Sequence, residues 1–590
     1  MGEEDDNAEL TLRGVGVSPG VVVGPVFLML PEEVTIVERR IGGDEPEREI
    51  VRLEDALIET RRQIRRIKTD LEARTGMAHA NIFDAHLMVL DDRAFIGDII
   101  TEIREKRRNV EASVKTVADH YAQVLSSMED DYLRERVADV RDVARRILRN
   151  LGGDLDTSIT SLTEKHIVVA VDLAPSDTAV LRRDVVSGFA TDLGSPTSHT
   201  AVMARALEIP AVVALRDISK RVSAGDPILI DGNRGVLIIR PTREHLEEYG
   251  KVAEARKTIT QGLSNLVDKP AETTDGHRIT VSANAEGVEE LDSVLHYGAQ
   301  GIGLFRSEYL YLASDKPVGE DDQAKIYGEV AARLAPAPVI IRTLDIGGDK
   351  FFRNVGKPRE ANPFLGCRSI RLSLLYPDEF KCQLRAILRA SVAGNVKIMY
   401  PMISSVGELL KANELLEESK RELAAAGVPF DQSIEVGIMI EVPSAALMAD
   451  VLAEHAAFFS LGTNDLVQYT MAVDRVNERV AYLYEPTHPA VLRLIRETVD
   501  AAHRHNRWVG LCGEMGGDPV LSPLLIGMDL DELSMAPAAI PGVKDAIRSV
   551  SYERAKSLAA VALRCRTAAE VLEHCRRLIK EVAPELLELI

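Results

Sequence analysis

The sequence predicts an α/β protein, in which a small α/β domain is interrupted by an all-helical insert and followed by a (β/α)8 barrel. Three patterns predict it. Strand-like apolar runs recur eight times, at Ile279–Ala283, Gly301–Phe305, Val339–Thr343, Lys397–Met402, Val436–Ile440, Phe458–Leu461, Trp508–Leu511 and Asp531–Met535, with helical stretches between them. Apolar residues at heptad spacing mark long helices over residues 50–71 and 133–151. Short strand-like runs lie on both sides of that helical stretch, so one domain could enclose it.

Taken in chain order, Gly14 to Val26 alternates small turn residues with valines, as a strand pair does. Ile50, Leu53, Leu57, Ile64, Ile67 and Leu71 then form one apolar helical face, with Arg61, Arg62, Arg65 and Arg66 on the solvated side. Leu133, Val137, Val140, Ala144, Leu148 and Leu151 repeat the pattern. His79–Leu90 and Phe95–Ile103 read as shorter helices between them, and Gly152-Gly153 ends the bundle. Short strands follow at Ile167, Val185, Ala211, Ile228 and Val236, and a charged helix at 241–265 links them to the barrel. The expected boundaries are 1–29 with 152–240 for the α/β domain, 30–151 for the insert, 241–265 for the linker and 266–590 for the barrel.

The 590 residues suffice for three or four units with sizeable cores. With 71 Lys plus Arg against 92 Asp plus Glu, the net charge of −21 argues against a general nucleic-acid binder. The five cysteines include no CxxC pair, so neither a disulfide framework nor a zinc site is expected. The acidic N-terminus has no hydrophobic signal core, and no apolar run approaches about 18 residues. A cytoplasmic protein that neither crosses a membrane nor is secreted is the expectation.

His199 stands where a helix should begin, between Gly194-Ser195-Pro196 and the apolar run Ala201–Leu207, with Ser198 placed as N-cap. Amides and helix dipole at that position would stabilise an anion on the ring, although a histidine beside Ser and Thr is more often a capping or packing residue. At the ends of the barrel strands stand Asn284, Arg306, Arg342 with Asp345, Glu441, Asn464 with Asp465, Cys512 with Glu514, and Ser534. Glu441 and Asp465 suit a hard cation such as Mg²⁺, with salt bridges to nearby arginines as the plainer alternative. Arg306 and Arg342, joined by Arg368 and Arg475, outnumber those two carboxylates, which favours a multiply charged anion such as a phosphorylated carboxylic acid. Cys512 is placed to give a proton to substrate, although a lone cysteine is usually a small buried hydrophobe.

At these residues the chain resembles enzyme I of the bacterial sugar phosphotransferase system, the phosphoenolpyruvate-protein phosphotransferases. The resemblance rests on Thr197-Ser-His-Thr-Ala-Val-Met-Ala-Arg, Gly303-Leu-Phe-Arg-Ser-Glu, Arg342-Thr-Leu-Asp-Ile-Gly-Gly-Asp-Lys, Asn362-Pro-Phe-Leu-Gly-Cys-Arg, Gly462-Thr-Asn-Asp-Leu-Val-Gln-Tyr, Ala472-Val-Asp-Arg and Cys512-Gly-Glu. It implies that His199 carries a phosphoryl group on Nε2, that Arg306, Arg342, Asn464 and Arg475 hold phosphoenolpyruvate with Arg368 and Asp465 beside them, and that Glu441 and Asp465 bind Mg²⁺. It further implies Cys512 as proton donor, a swivelling phosphohistidine domain, docking of the phosphocarrier HPr on the helical insert, and a homodimer formed by the barrel.

Three positions depart from the family pattern: Ser195 replaces a glycine of the histidine loop, Ser307 a threonine and Cys367 a tryptophan. Three other readings compete. A pyruvate phosphate dikinase or phosphoenolpyruvate synthase shares the histidine unit and barrel but needs a nucleotide domain, for which the helical insert leaves little room. A Mg²⁺-dependent lyase or aldolase barrel would not need His199, and a regulatory sensor would not need the complete set of chemical side chains. The absence of an N-terminal sensory domain leans toward the sugar branch rather than nitrogen-linked regulation.

Overall fold

The strands on either side of the helical stretch pair with one another. In the computed structural model β1 (Leu10–Arg13), β2 (Val15–Ser18) and β3 (Val21–Met29) join β4 (His166–Ala170), β5 (Val186–Thr191), β6 (Ala211–Val213), β7 (Pro227–Asp231) and β8 (Val236–Ile239) in an eight-stranded sheet of order β1-β8-β7-β3-β4-β5-β6-β2. The structure describes residues 9–29, 36–75, 82–126, 131–152, 164–179, 181–195, 199–207, 209–247, 249–250, 262–312, 318–347, 362–475, 477 and 480–588. It divides into two units, Met1–Glu254 and Ala255–Ile590.

Within the first unit β3 and β4 run parallel, Val26 opposite Ile167 and Met29 opposite Ala170. Parallel neighbours need a crossover connection, and here the helices supply it. They are Glu45–Thr75, Ile82–Asp91, Arg93–Lys106, Val110–Ser126 and Asp131–Gly152. One continuous apolar cluster joins them to the sheet, from Leu53, Ile64, Phe95, Val114 and Ile147 to Val168, Phe189 and Val213.

The sequence reading missed two of these elements. It placed a strand pair at Gly14–Val26, whereas three strands begin at Leu10. It also passed over Val110–Ser126, whose buried face of Val110, Val114, Val117, Ala118 and Ala122 is small and β-branched, a weak helical signal. Tertiary contacts stabilise that helix start: Glu49 of the first helix accepts from the Val110 amide at 2.9 Å. Of the expected linker helix over 241–265, residues 243–247, 249–250 and 262–264 are helical, while 248 and 251–261 lie outside the described residues, as do His79 to Asn81 at the start of a predicted helix.

In the second unit eight parallel strands close into a barrel: β9 (Thr280–Ala285), β10 (Ile302–Arg306), β11 (Val339–Arg342), β12 (Val396–Tyr400), β13 (Val436–Ile440), β14 (Phe458–Leu461), β15 (Trp508–Leu511) and β16 (Glu532–Met535), with β16 pairing back to β9. This is the (β/α)8 architecture that the sequence predicts, and three strands have the predicted ends. The lumen is filled by Leu304, Ile340, Met399, Met439 and Phe458, the last stacked on Trp508 at a centroid distance of 4.5 Å. A packed lumen leaves the C-terminal ends of the strands as the place for chemistry. Among the described residues no helix is long and apolar enough to cross a membrane.

Lumen packing sets where small residues are needed. A Cβ added to Gly437 would sit 2.4 Å from the Phe458 ring, which Trp508 already holds from stacking distance. Gly437→Ala is therefore expected to destabilise the barrel by about 1–3 kcal/mol, as overpacking does. At Gly542 an added Cβ meets only the Pro519 ring at 4.0 Å, inside the helix Ile540–Arg548. Gly542→Ala should be neutral or stabilise by up to about 1 kcal/mol. The denaturant midpoint of the barrel transition checks both; equal midpoints for the two variants would refute the packing argument.

Candidate active site

Arg306 closes β10 and Arg342 closes β11, so the first two cationic groups at the barrel mouth come from adjacent strands. Arg342 is buried. One arm of its guanidinium bonds Glu308, the first residue of the helix Glu308–Leu312, and the other lies 2.9 Å from Asp345. Behind it, the fully buried Ser307 donates its hydroxyl to the Arg342 carbonyl at 2.7 Å and accepts from Gln383 at 2.9 Å. Gln383 in turn accepts from the Leu344 amide at 2.9 Å. Ser307 thus secures the end of β10 to the end of β11, a task its hydroxyl performs without the methyl group of a threonine.

Asp345 is shared. It also pairs with Arg368 at 3.0 Å and accepts from Ser369. Burial works against its ionisation, but the guanidiniums of Arg342 and Arg368 outweigh burial and hold the carboxyl at about 2. Desolvation opposes the charge on both arginines, but Asp345, with Glu308 beside Arg342 and Asp465 beside Arg368, outweighs it and raises both further above their ordinary range. Arg368 reaches on toward Asp465 at 3.7 Å and meets the Tyr469 hydroxyl at 3.3 Å. On β10, Arg306 pairs with Glu286 at 2.7 Å, and both side chains are partly exposed.

Glu441 follows β13 directly and is 1 % exposed. Its Oε1 accepts from the Met402 amide at 2.6 Å, with Met402 held in the left-handed region at φ 55°. Gly462 packs against it so closely that an added Cβ would stand 2.8 Å from Oε2. Burial, and then the negative charges of Asp465 and Asp345, push the Glu441 carboxyl well above the usual range, with Arg342 pulling the other way. An acid so placed is stable either with a proton or beside a cation. Together with Asp465 it offers hard oxygen donors, which fits Mg²⁺, an ion that takes one or two carboxylates and keeps waters or substrate oxygens in its remaining positions. Among the described residues no set of three His, Cys, Asp or Glu converges as a metal cage.

Asn464 and Asp465 lie in the first turn of the helix Thr463–Met471, just past β14. Asn464 and Glu514 bind reciprocally: the amide group donates to the carboxylate at 3.2 Å and accepts from the Glu514 backbone at 3.0 Å. That helix ends at Ala472 in the left-handed region, and in the following turn the Arg475 amide donates to Gln468 at 3.3 Å while its guanidinium meets Tyr484. Cys512 directly follows β15 and is buried, its thiol 3.7 Å from the Leu461 carbonyl. Asn284 fixes its backbone by donating to the Cys512 carbonyl at 3.0 Å, and Ser534 orients Asn284 by donating to it at 2.6 Å. Burial pushes the Cys512 thiol up to about 11, against the pull of Arg342 and Arg306.

His199 belongs to the first unit, where it is the first residue of the helix His199–Ala206. Residues 196–198, including the expected N-cap Ser198, lie outside the described residues. The helix rests on the sheet through buried Ala201, Met203 and Ala204; Ser18 donates to the Ala204 carbonyl at 3.2 Å and Arg205 to the Val17 carbonyl at 3.3 Å. Of the other residues singled out from sequence, Arg342, Arg368, Glu441, Asp465 and Cys512 form one interacting group. Arg306, Asn464 and Arg475 stand around it with their own partners.

One premise of the sequence reading needs correction. The sequence reading sets four arginines against two carboxylates, but among the described residues Glu286, Glu308 and Asp345 also pair with arginines, so there the arginines do not outnumber the carboxylates. Glu308 stood in the motif Gly303-Leu-Phe-Arg-Ser-Glu and could have been found there. Glu286 and Tyr469 carried no such signal.

The chain matches three families: "PEP-utilising enzyme, N-terminal" over residues 13–136, "PEP-utilising enzyme, mobile domain" over 162–235 and "PEP-utilising enzyme, PEP-binding domain" over 260–552. It is 42% identical over 569 residues to the phosphoenolpyruvate-protein phosphotransferase of Geobacillus stearothermophilus, covering 96% of this chain and 98% of that one. The protein of the same name from Bacillus subtilis is 40% identical over 569 residues, 96% of this chain and 100% of that one.

The buried thiol gives a direct check on the electrostatics of the mouth. With its titration near about 11, alkylation of Cys512 by iodoacetamide should rise about tenfold per pH unit from neutrality and level off only near about pH 11. Mass spectrometry of the Cys512 peptide measures this, and a plateau below pH 9 would show a thiolate that the arginines stabilise.

Proposed function

The chain belongs to the phosphoenolpyruvate-protein phosphotransferase family, and from that premise we propose that it takes the phosphoryl group of phosphoenolpyruvate onto His199, passes it to a histidine of the phosphocarrier HPr, and releases pyruvate as the first step of sugar uptake by the phosphotransferase system. The observation that carries this reading furthest is the set of guanidiniums held at the C-terminal ends of the barrel strands around one buried acid and one buried thiol. Phosphoryl transfer needs placement and neutralisation of spread negative charge, and such a set meets both needs.

In this reading Arg306, Arg342, Asn464 and Arg475 hold the phosphate and carboxylate of the substrate, with Arg368 and Asp465 beside them. Neutral His199 attacks phosphorus through Nε2, the bond from phosphorus to the enol oxygen breaks, and that oxygen keeps the electron pair. The methylene carbon of the resulting enolate takes the thiol proton of Cys512 and pyruvate forms. A thiol that is protonated at neutral pH suits a donor. Glu441 and Asp465 would hold Mg²⁺, which supplies positive charge to the substrate oxygens when bound.

The division into a phosphohistidine domain (1–29 and 152–240), a helical carrier-binding insert (30–151), a linker (241–265) and a barrel (266–590) belongs to the same proposal, with the histidine domain swivelling between two partners. So does a cytoplasmic homodimer without nucleic-acid or membrane partners. Support for a barrel-mediated dimer comes from exposed Leu410, Leu447 and Val451 on neighbouring helices and Met448 in the turn between two of them.

Incubation with labelled phosphoenolpyruvate and Mg²⁺ should give an acid-labile, alkali-stable phosphate on the wild type and none on His199→Ala; an unlabelled wild type would sink the proposal. A second expectation follows from the raised Glu441 carboxyl. Because a cation must displace its proton, Mg²⁺ binding should release protons, and affinity should increase as pH rises toward the shifted titration point. Calorimetry in two buffers of different ionisation enthalpy reads the release. Its persistence in Glu441→Gln would assign the proton elsewhere.

A further inference from the structure

A chain of almost fully buried polar groups crosses the first unit and ends one residue from His199. His86, in the helix Ile82–Asp91, faces carboxylates with both ring nitrogens: Nε2 lies 3.0 Å from Asp142 and Nδ1 3.8 Å from Asp139. The two aspartates stand one turn apart on the helix Asp131–Gly152. Asp142 then accepts twice from Ser176, from the hydroxyl at 2.8 Å and the backbone amide at 3.3 Å, at the start of the short helix Pro175–Ala179. The next residue, Asp177, accepts from the Ala174 amide at 3.3 Å and pairs with Arg145 at 3.4 Å. The carbonyl just before Ala174, that of Leu173, accepts the Thr200 hydroxyl at 2.9 Å.

His86, Asp139, Asp142, Ser176, Asp177 and Thr200 are each at most 6 % exposed. Holding helices together does not require this, since apolar side chains of like volume do so at least as well as buried ion pairs. What the hydrogen-bonded chain from His86 through Asp142 and Ser176 adds is one defined arrangement. We propose that this network positions His199: it ties the turn at Leu173–Ser176 to the helical bundle and, through the Thr200 hydroxyl, sets the first turn of the helix that His199 begins. His86, Asp142, Ser176 and Thr200 are thus positioning residues, and the idea rests on the reading of His199 as phosphoryl carrier.

The signature of this role is symmetry between the half-reactions. A fault at the barrel mouth slows only charging by phosphoenolpyruvate, and a fault on the carrier surface slows only discharge, whereas a displaced histidine slows both. In the full-length protein, Ser176→Ala, Asp142→Asn and Thr200→Ala are expected to slow charging and discharge alike by about tenfold or more in rapid-quench measurements, as small misplacements of a reacting group do. KM for phosphoenolpyruvate and for the carrier should change little. The ¹⁵N imidazole resonances of His199 should move in each variant, and Thr200→Ser should restore both rates and resonances.

Loss confined to one half-reaction, or unchanged rates and resonances in a folded variant, would overturn the proposal. Should Asp142→Asn fail to fold, Ser176→Ala and the Thr200 pair still decide. A wild type that is not charged at His199 would refute the functional reading. The imidazole resonances would report on the network independently.

Discussion

Everything at the barrel mouth depends on the burial of one guanidinium. Arg342 cannot lose its proton to escape desolvation, so the structure must bring charge to it, and Glu308 and Asp345 do so from different stretches of chain. Each partner then needs partners of its own. Asp345 takes Arg368, Arg368 leans toward Asp465, and Asp465 sets its charge against Glu441. Removing one member of such a chain leaves an unpaired buried charge, a cost of about 3–5 kcal/mol. The mouth is therefore an interlocked set, and the supporting bonds of Ser307 and Gln383 keep the two strand ends from shifting beneath it.

This self-pairing has a consequence for binding. Among the described residues carboxylates already occupy Arg306, Arg342 and Arg368, so an anion arriving at these three competes with Glu286, Glu308 and Asp345. Competition of this kind gives selectivity, because a weakly charged or badly shaped anion cannot match what it displaces. It also makes an anion alone a poor ligand for three arginines already paired with carboxylates. In the proposed mechanism a divalent cation on Glu441 and Asp465 would reverse that balance and tie substrate affinity to the metal more strongly than an arginine-rich pocket would.

The architecture was legible because a parallel barrel strand is buried on both faces and reads as a compact apolar run; β13, β14 and β15 could be bounded to the residue. Polar residues directly after such runs, as at Glu441 and Cys512, followed with them. Elements whose stability comes from elsewhere were not legible. The helix Val110–Ser126 buries small side chains and draws support from Glu49, 61 positions before Val110 in the chain. β1 exists because Leu10–Arg13 finds β8, a pairing with no local trace. The arginine partner Glu286 looks like an ordinary surface acid until the fold sets it beside a guanidinium.

Burial itself is the quantity that spacing conveys least well, and here it assigns opposite states to two groups of one pocket. Cys512 and Glu441 share the same desolvated mouth, each fully enclosed and each within the field of Arg342. For the thiol, desolvation reinforces the ordinary preference at neutral pH and keeps a transferable proton in place. For the carboxyl, the same desolvation opposes the ordinary preference and leaves a group that must be protonated or joined by a cation. A single low-dielectric environment thus readies an acid and a cation-seeking base side by side, and the arginines determine how far each is displaced. Any substitution that opens the mouth to water should relax both at once, so neither group can be tuned without the other.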